Sequence, residues 1–178
     1  MKLKNMRGMN GMKTISEITR KMIVCSAGNL HDIHHFMKVW AYARLIGESE
    51  GLEEKTQLTL EIAAITHDIA CPLCRKKYGS TAGPLQEREG ALIVREFLAD
   101  TGLEQEMIDR VSYLVGHHHT YHPVDGLDYR ILLEADYLVN ADESGYPYGK
   151  ILEDRETVFL TRAGMELLDA MYLNPGTK

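Results

Sequence analysis

Apolar positions in this chain recur every three or four residues, the spacing that stacks side chains on one face of an α-helix. Thr14 to about Ala27 carries Ile15, Ile18, Met22 and Cys25 on one stripe, and Thr14 with Glu17 three residues on predicts a capping box. Gly28-Asn29 ends that stretch. From Asp32 to about Gly47, His35, Val39, Tyr42 and Ile46 share a face. From about Glu53 to Ile69, Leu60, Ala63 and Ala64 precede His67 by seven, four and three residues, so the imidazole shares their inward face. Ala70-Cys71-Pro72 is expected to break this helix, and residues 70–85, with Pro72, Gly79, Gly83 and Pro84, read as a loop.

The pattern resumes from Leu85 to Asp100, with Ala91, Val94 and Leu98 on one side and Thr101-Gly102 as a stop. The next helix opens with Glu104 and Glu106, acids suited to a helix N-terminus. It runs through Ile108, Val111, Leu114 and Val115 into His117-His118-His119. After a turn from Pro123 to Gly126, a short helix from Tyr129 to about Ala141 holds Asp136 inside an apolar run. A glycine- and tyrosine-rich stretch, Ser144 to Gly149, precedes a last helix from about Glu153 to Tyr172. Strand-like alternation is essentially absent. The expectation is an all-α, single-domain helical bundle over residues 14–178 behind a loose tail, residues 1–13.

Composition narrows the class. A chain of 178 residues, 44% hydrophobic, is long enough for one well-packed core. No apolar run approaches the roughly 18–20 residues that span a bilayer, and no apolar segment follows the basic N-terminal residues as a signal peptide would require. A net charge of −6 argues against a nucleic acid polymer as partner. Three cysteines, Cys25, Cys71 and Cys74, fit a reducing cytoplasm. Cys71-Pro72-Leu73-Cys74 lacks the second ligand pair of a structural zinc site and the strand–helix context of a redox dithiol, so it reads as an ordinary loop.

Histidines and carboxylates on inward faces are the chemistry that remains. His35, His67-Asp68, His117 or His118, and Asp136 lie on or beside the apolar faces of four separate helices. Each alone has an ordinary explanation, such as a core histidine, a polar helix end, or an aspartate paired with Arg130. Together they would require four helices to bury polar groups for unrelated reasons, at about 1–3 kcal/mol each if unpartnered. A metal ion gives one reason for all, and mixed imidazole and carboxylate ligands suit a divalent transition ion.

Asp32-Ile33-His34-His35-Phe36-Met37-Lys38-Val39-Trp40, then Thr66-His67-Asp68-Ile69, then Glu134-Ala135-Asp136-Tyr137-Leu138 resembles the H…HD…D signature of the HD-domain metal-dependent phosphohydrolase superfamily. The likeness covers about residues 29–141; His31-Asp32-x-x-His35-x-x-Lys38-Val39-Trp40 is similar to one bacterial branch, which usually has Arg at the place of Lys38. The resemblance implies His35, His67, Asp68 and Asp136 as metal ligands, with His35 preferred over His34 for its spacing to Lys38-Val39 and its face shared with Val39 and Ile46. Members with extra histidines bind a second metal or hold substrate phosphate, and Leu114-Val115-Gly116-His117-His118 is similar to the last of those positions. The other is usually a histidine four residues before a Gly-Ala pair; here Gln86 precedes Gly90-Ala91. That departure implies one divalent ion (Mn, Fe, Co, Ni or Zn) rather than two.

The expected function is hydrolysis of a phosphoester or phosphoanhydride of a small metabolite or nucleotide by a metal-activated water. Asp68 is expected to orient or deprotonate that water, and His117 and His118 to hold phosphate or donate a proton to the leaving group. Arg75, Lys76, Lys77 and Lys38 are the candidate substrate cations, though a solvated charged loop explains residues 75–77 equally well. Tyr121, His122 and the Tyr146-Pro147-Tyr148-Gly149 loop are placed to close over substrate. Two competing readings are a di-iron oxygenase on the same scaffold, against which Gln86 counts, and a non-catalytic module held together by its metal. The expected partner is a small phosphorylated substrate, without a membrane, with homodimer formation left open.

Overall fold

The capping box predicted at Thr14 forms: its hydroxyl accepts from Glu17 N, and its own N–H donates to the Glu17 carboxylate at 2.8 Å. It opens α1, Ile15–Cys25, in a computed structural model that describes residues 14–174. The expected tail at 1–13 lies outside the described residues. The helices that follow are α2 (Leu30–Ser49), α3 (Glu54–Thr66), α4 (Cys71–Tyr78), α5 (Gly83–Leu98), α6 (Gln105–Val115), α7 (Leu127–Glu143), α8 (Tyr148–Val158) and α9 (Arg162–Leu168), the last running into a π-helical turn, Asp169–Leu173. The described residues contain no strand, so the all-α expectation holds. None of these helices is long and apolar enough to cross a membrane.

Helix α7 is the axle of the bundle. Every residue from Asp128 to Val139 is buried, as expected of a helix surrounded by others rather than laid on a surface. Helices α2 and α3 pack on it and on each other, α6 packs on α3, α5 on α6, and α1 covers α3. Phe36, Ile46, Leu60, Ile65, Leu114 and Leu132 join in one apolar cluster between them. Full burial of each such side chain contributes about 1.5–3 kcal/mol.

Three boundaries differ from the sequence expectation. Residues 70–85 are not one loop, because Cys71–Tyr78 form α4. Pro72 sits in its first turn, where the missing N–H has no helical partner to lose, and Gly79 ends it in the left-handed region at φ 64°. Helix α3 stops at Thr66, so His67 and Asp68 stand in the turn beyond it rather than on its last coil. The final helix is two helices. Glu134, buried on α7, accepts hydrogen bonds from Leu160 N (2.7 Å), Thr161 N (3.0 Å) and the Thr161 hydroxyl, which captures donors a continuous helix would have used internally. Thr161 then caps α9 through Gly164 N.

Candidate metal centre

The turn after α3 presents its two polar side chains in different ways. His67 folds back so that its Nδ1–H donates to Ala64 O at 2.8 Å, which fixes the tautomer and turns Nε2 inward. His118, in the turn after α6, repeats the device with Val115 O at 2.8 Å. His35, on α2, uses a carboxylate instead: its Nδ1 lies 2.8 Å from Glu143 Oε2 at the end of α7. Three imidazoles are thus held through Nδ1 and converge through Nε2.

The convergence is tight. His35 Nε2 lies 3.2 Å from His67 Nε2, 3.2 Å from Asp136 Oδ1 and 3.6 Å from Asp68 Oδ2. His67 Nε2 is 3.6 Å from each of the same two carboxylate oxygens. On the other side of Asp68, its Oδ1 is 3.5 Å from His118 Nε2. His119 completes a second triad with Asp68 and His118, so two groups of three donors share Asp68.

These residues fit a metal ion. Ligand atoms held about 2.0–2.2 Å from one ion sit roughly 3.0–3.5 Å from one another, close to the observed separations. The buried Nε2 atoms of His118 and His119 have no hydrogen-bond partner among the described residues. A buried polar atom left unsatisfied costs about 1–3 kcal/mol, which a cation beside it would offset.

The electrostatics agree. Burial alone would raise Asp68 and Asp136, but the imidazoles of His67 and His35 around them hold both carboxyls well below the usual range. Burial likewise pulls His35 down, and the hydrogen bond to Asp136 with the charges of Asp68 and Asp136 overrides it, raising the imidazole to about 9. In the metal-free molecule a proton on His35 therefore does the work of a cation. His119 moves the opposite way, to about 4, through burial and then repulsion from His118, and its ring is neutral near pH 7.

A polar cavity of about 300 Å³ reaches the cluster, lined by His35, Asp68, Asp136, His119, Gln86 and Arg75 among others. Arg75, from α4, is ion-paired with the buried Asp32 at its mouth. Gln86 is committed on both sides of its amide: Oε1 accepts from the Cys71 thiol at 3.2 Å and Nε2 donates to Thr81 O at 2.8 Å. Burial first, then Asp68 and Asp32, push the Cys71 thiol far up, so it stays protonated. All three cysteines are free.

The structure therefore brings together His35, His67, Asp68, Asp136 and His118, while His34 is exposed. His117 is turned away: its Nδ1–H donates to Tyr113 O at 2.7 Å and its ring stacks on Tyr113. Of the candidate substrate cations only Arg75 lines the cavity. Lys76 is exposed outside it, Lys77 pairs with Glu89 on α5 at 3.3 Å, and Lys38 is held 2.6 Å from Glu143 Oε1.

Two supporting residues escaped the sequence reading. Glu143 follows Asp136 by seven residues and Asn140 by three, so all three share one face of α7 and line the cavity; that spacing was the available signal. Glu87 accepts from His119 N (3.0 Å) and the Thr120 hydroxyl (2.9 Å), pinning the turn that carries His118 and His119. Gly83 lets that turn approach α5, since a Cβ there would lie 2.8 Å from the His119 ring.

The chain matches the HD domain family over residues 32–141, a span that includes every donor named above. No curated protein matches it. Among solved structures it is similar to one described as a predicted HD superfamily hydrolase from an uncultured Thermotogales bacterium, with a TM-score of 0.65 and 25% identity over 89% of this chain and 83% of that one. With more than half its length matched and the ordered histidines and aspartates meeting at one point, the chain belongs to the HD domain family, a superfamily of metal-dependent hydrolases.

Proposed function

We propose that the protein is a phosphohydrolase that cleaves a phosphoester or phosphoanhydride bond of a small phosphorylated metabolite. The observation that carries this reading is the meeting of three inward imidazole nitrogens and two carboxylates at a polar cavity with a guanidinium at its mouth. His35, His67, Asp68 and Asp136 would hold the ion. A divalent ion bound there (Mn, Fe, Co, Ni or Zn) supplies an acidified water and a polarised phosphoryl oxygen.

The chain's own residues supply the rest. Asp68 lies between the two donor groups, and its Oδ1 orients an attacking water. His118 Nε2, 3.5 Å from that oxygen, takes the proton of that water, because Asp68 raises its basicity against the effect of burial. Arg75 meets the substrate phosphate once the anion takes the place of Asp32, a charge-assisted exchange of one oxyanion partner for another. Glu143 and the Ala64 and Val115 carbonyls keep the imidazoles aimed throughout.

Purified protein supplied with Mn, Co or Ni should release phosphate from at least one member of a panel of small phosphoesters. Asp68→Ala should abolish that release while the helical circular dichroism is retained. Undiminished release by Asp68→Ala, or none with any metal, would overturn the assignment. The di-iron oxygenase alternative draws on the second triad, Asp68, His118 and His119, but Gln86 offers no ionisable ligand beside it. Two irons per chain with dioxygen consumption would favour that alternative.

A further inference from the structure

Asp68 and His118 serve the incoming water, and the departing oxygen needs a proton donor of its own. Attack and departure lie in line on opposite faces of the phosphorus, so that donor belongs on the far side of the cavity from His118. The contacts across the centre form a row. His118 Nε2 is 3.5 Å from Asp68 Oδ1, and Asp68 Oδ2 is 3.6 Å from His35 Nε2. His35 Nδ1 is 2.8 Å from Glu143 Oε2, and the same carboxylate oxygen is 3.5 Å from His31 Nε2. The row that begins at His118 ends at His31. One turn of α2 before His35, the His31 ring lies parallel to the His35 ring (9°, centroids 6.3 Å) and lines the cavity.

The other titratable groups on this wall are already committed. The Cys71 thiol donates to Gln86, and Arg75 and Asp32 are ion-paired with each other. Glu143 holds His35 through Oε2 and Lys38 through Oε1. His119 stands with Asp68 and His118, on the side of the incoming water. His31 is different. The rings of His35, His67 and His118 are fixed through Nδ1 at 2.8 Å. The His31 nitrogens stand farther from their neighbours, 3.9 Å from Asp32 Oδ1 and 3.5 Å from Glu143 Oε2. Its side chain is 71% exposed, so the ring can draw a fresh proton from solvent after each turnover.

We propose that His31 is the general acid of the reaction, the residue that protonates the leaving oxygen. This assignment rests on the phosphohydrolase reading. As the water oxygen bonds to phosphorus, the bond from phosphorus to the leaving oxygen breaks, and its electron pair stays on that oxygen. The oxygen takes the proton of the His31 imidazolium and departs as an alcohol, or as a phosphate when an anhydride is cleaved. The proton of the water goes to His118. His31 then regains a proton from solvent and His118 releases one, which closes the cycle.

The test compares the oxygen ester that the metal-loaded protein cleaves fastest with an analogue carrying sulfur in place of the bridging oxygen. A thiolate departs without a proton, so the analogue makes no call on a general acid. His31→Ala should lower kcat on the oxygen ester about a hundredfold or more, and on the sulfur analogue less than about tenfold. Equal losses on the two compounds, or no loss on the oxygen ester, overturn the inference, since a ring that served only the fold, the phosphate or the ion would slow both alike. Calorimetric titration of the metal-free variant with Mn or Zn supplies a readout apart from turnover. Its affinity should stay within about threefold of the wild type, against the 10- to 100-fold loss typical of a residue that orients a metal ligand; a loss of that size would overturn the assignment. His34→Ala, at an exposed neighbouring position, should leave both rates unchanged. If the wild type cleaves no phosphoester at all, the phosphohydrolase reading falls and this one with it. Cleavage with equal losses on the two compounds removes this inference alone.

Discussion

His35 and Glu143, 108 positions apart in the chain, are joined by a 2.8 Å hydrogen bond between imidazole Nδ1 and carboxylate Oε2. The other carboxylate oxygen is 2.6 Å from Lys38 Nζ. Lys38 is therefore the counter-ion of a residue that orients a metal ligand. Glu143→Gln should keep the fold and lower metal affinity about 10- to 100-fold, the usual cost of losing such an outer partner. Calorimetric titration of the metal-free variant with Mn or Zn checks this, and an unchanged affinity would remove Glu143 from the centre.

The raised imidazole of His35 sets a pH dependence. Its folded value, about 9, lies above the ordinary 6.5, so the stability it contributes to the metal-free protein is fully present below pH 6.5. That contribution is lost as pH rises through 9. A bound ion displaces the proton, so metal affinity should rise across the same window. Melting curves at pH 6 and pH 9, with chelator and with excess metal, should show the gain from metal increasing with pH. A gain that shrinks with pH would contradict the assignment of His35 as ligand.

Among the cations after the histidine–aspartate pair, only Arg75 should matter for turnover. Arg75→Ala should raise KM for a phosphorylated substrate by roughly tenfold, the loss of one charge-assisted contact. Lys76→Ala and Lys77→Ala should change kcat/KM less than about twofold, because neither side chain lines the cavity. Steady-state kinetics on the three variants separates them.

Removing Glu134 should be felt in stability. Its carboxylate serves two backbone N–H groups and the Thr161 hydroxyl at the break between α8 and α9. Glu134→Ala should lower the free energy of unfolding by about 2–4 kcal/mol, through buried donors left without acceptors. Urea unfolding monitored at 222 nm measures it.

The centre was legible in the sequence because helical periodicity speaks for buried faces. His35 shares a stripe with Val39 and Ile46, and Asp136 lies inside the apolar run of α7, so both announce themselves as polar groups pointing inward. Periodicity says nothing of how a helix end turns, and the choice between His117 and His118 depends on that turn. Only the carbonyls of Tyr113 and Val115 decide which ring faces Asp68. The split between α8 and α9 was hidden for a related reason: its cause, Glu134, is supplied by a helix 26 residues earlier. Helix α4 was missed because Pro72 looks like a breaker, although a proline in a first turn breaks nothing.

Helix α7 carries Asp136 and Glu143 on a segment enclosed by the bundle on nearly every side. Its amides should exchange with solvent only when the whole molecule opens, while short turns exchange through local fluctuations. An ion at the centre would then be backed by a wall that opens only with the whole fold. Its exchange would run through the cavity side, where Arg75 and Asp32 form an ion pair, so that the rate of metal exchange would be set there rather than by global stability.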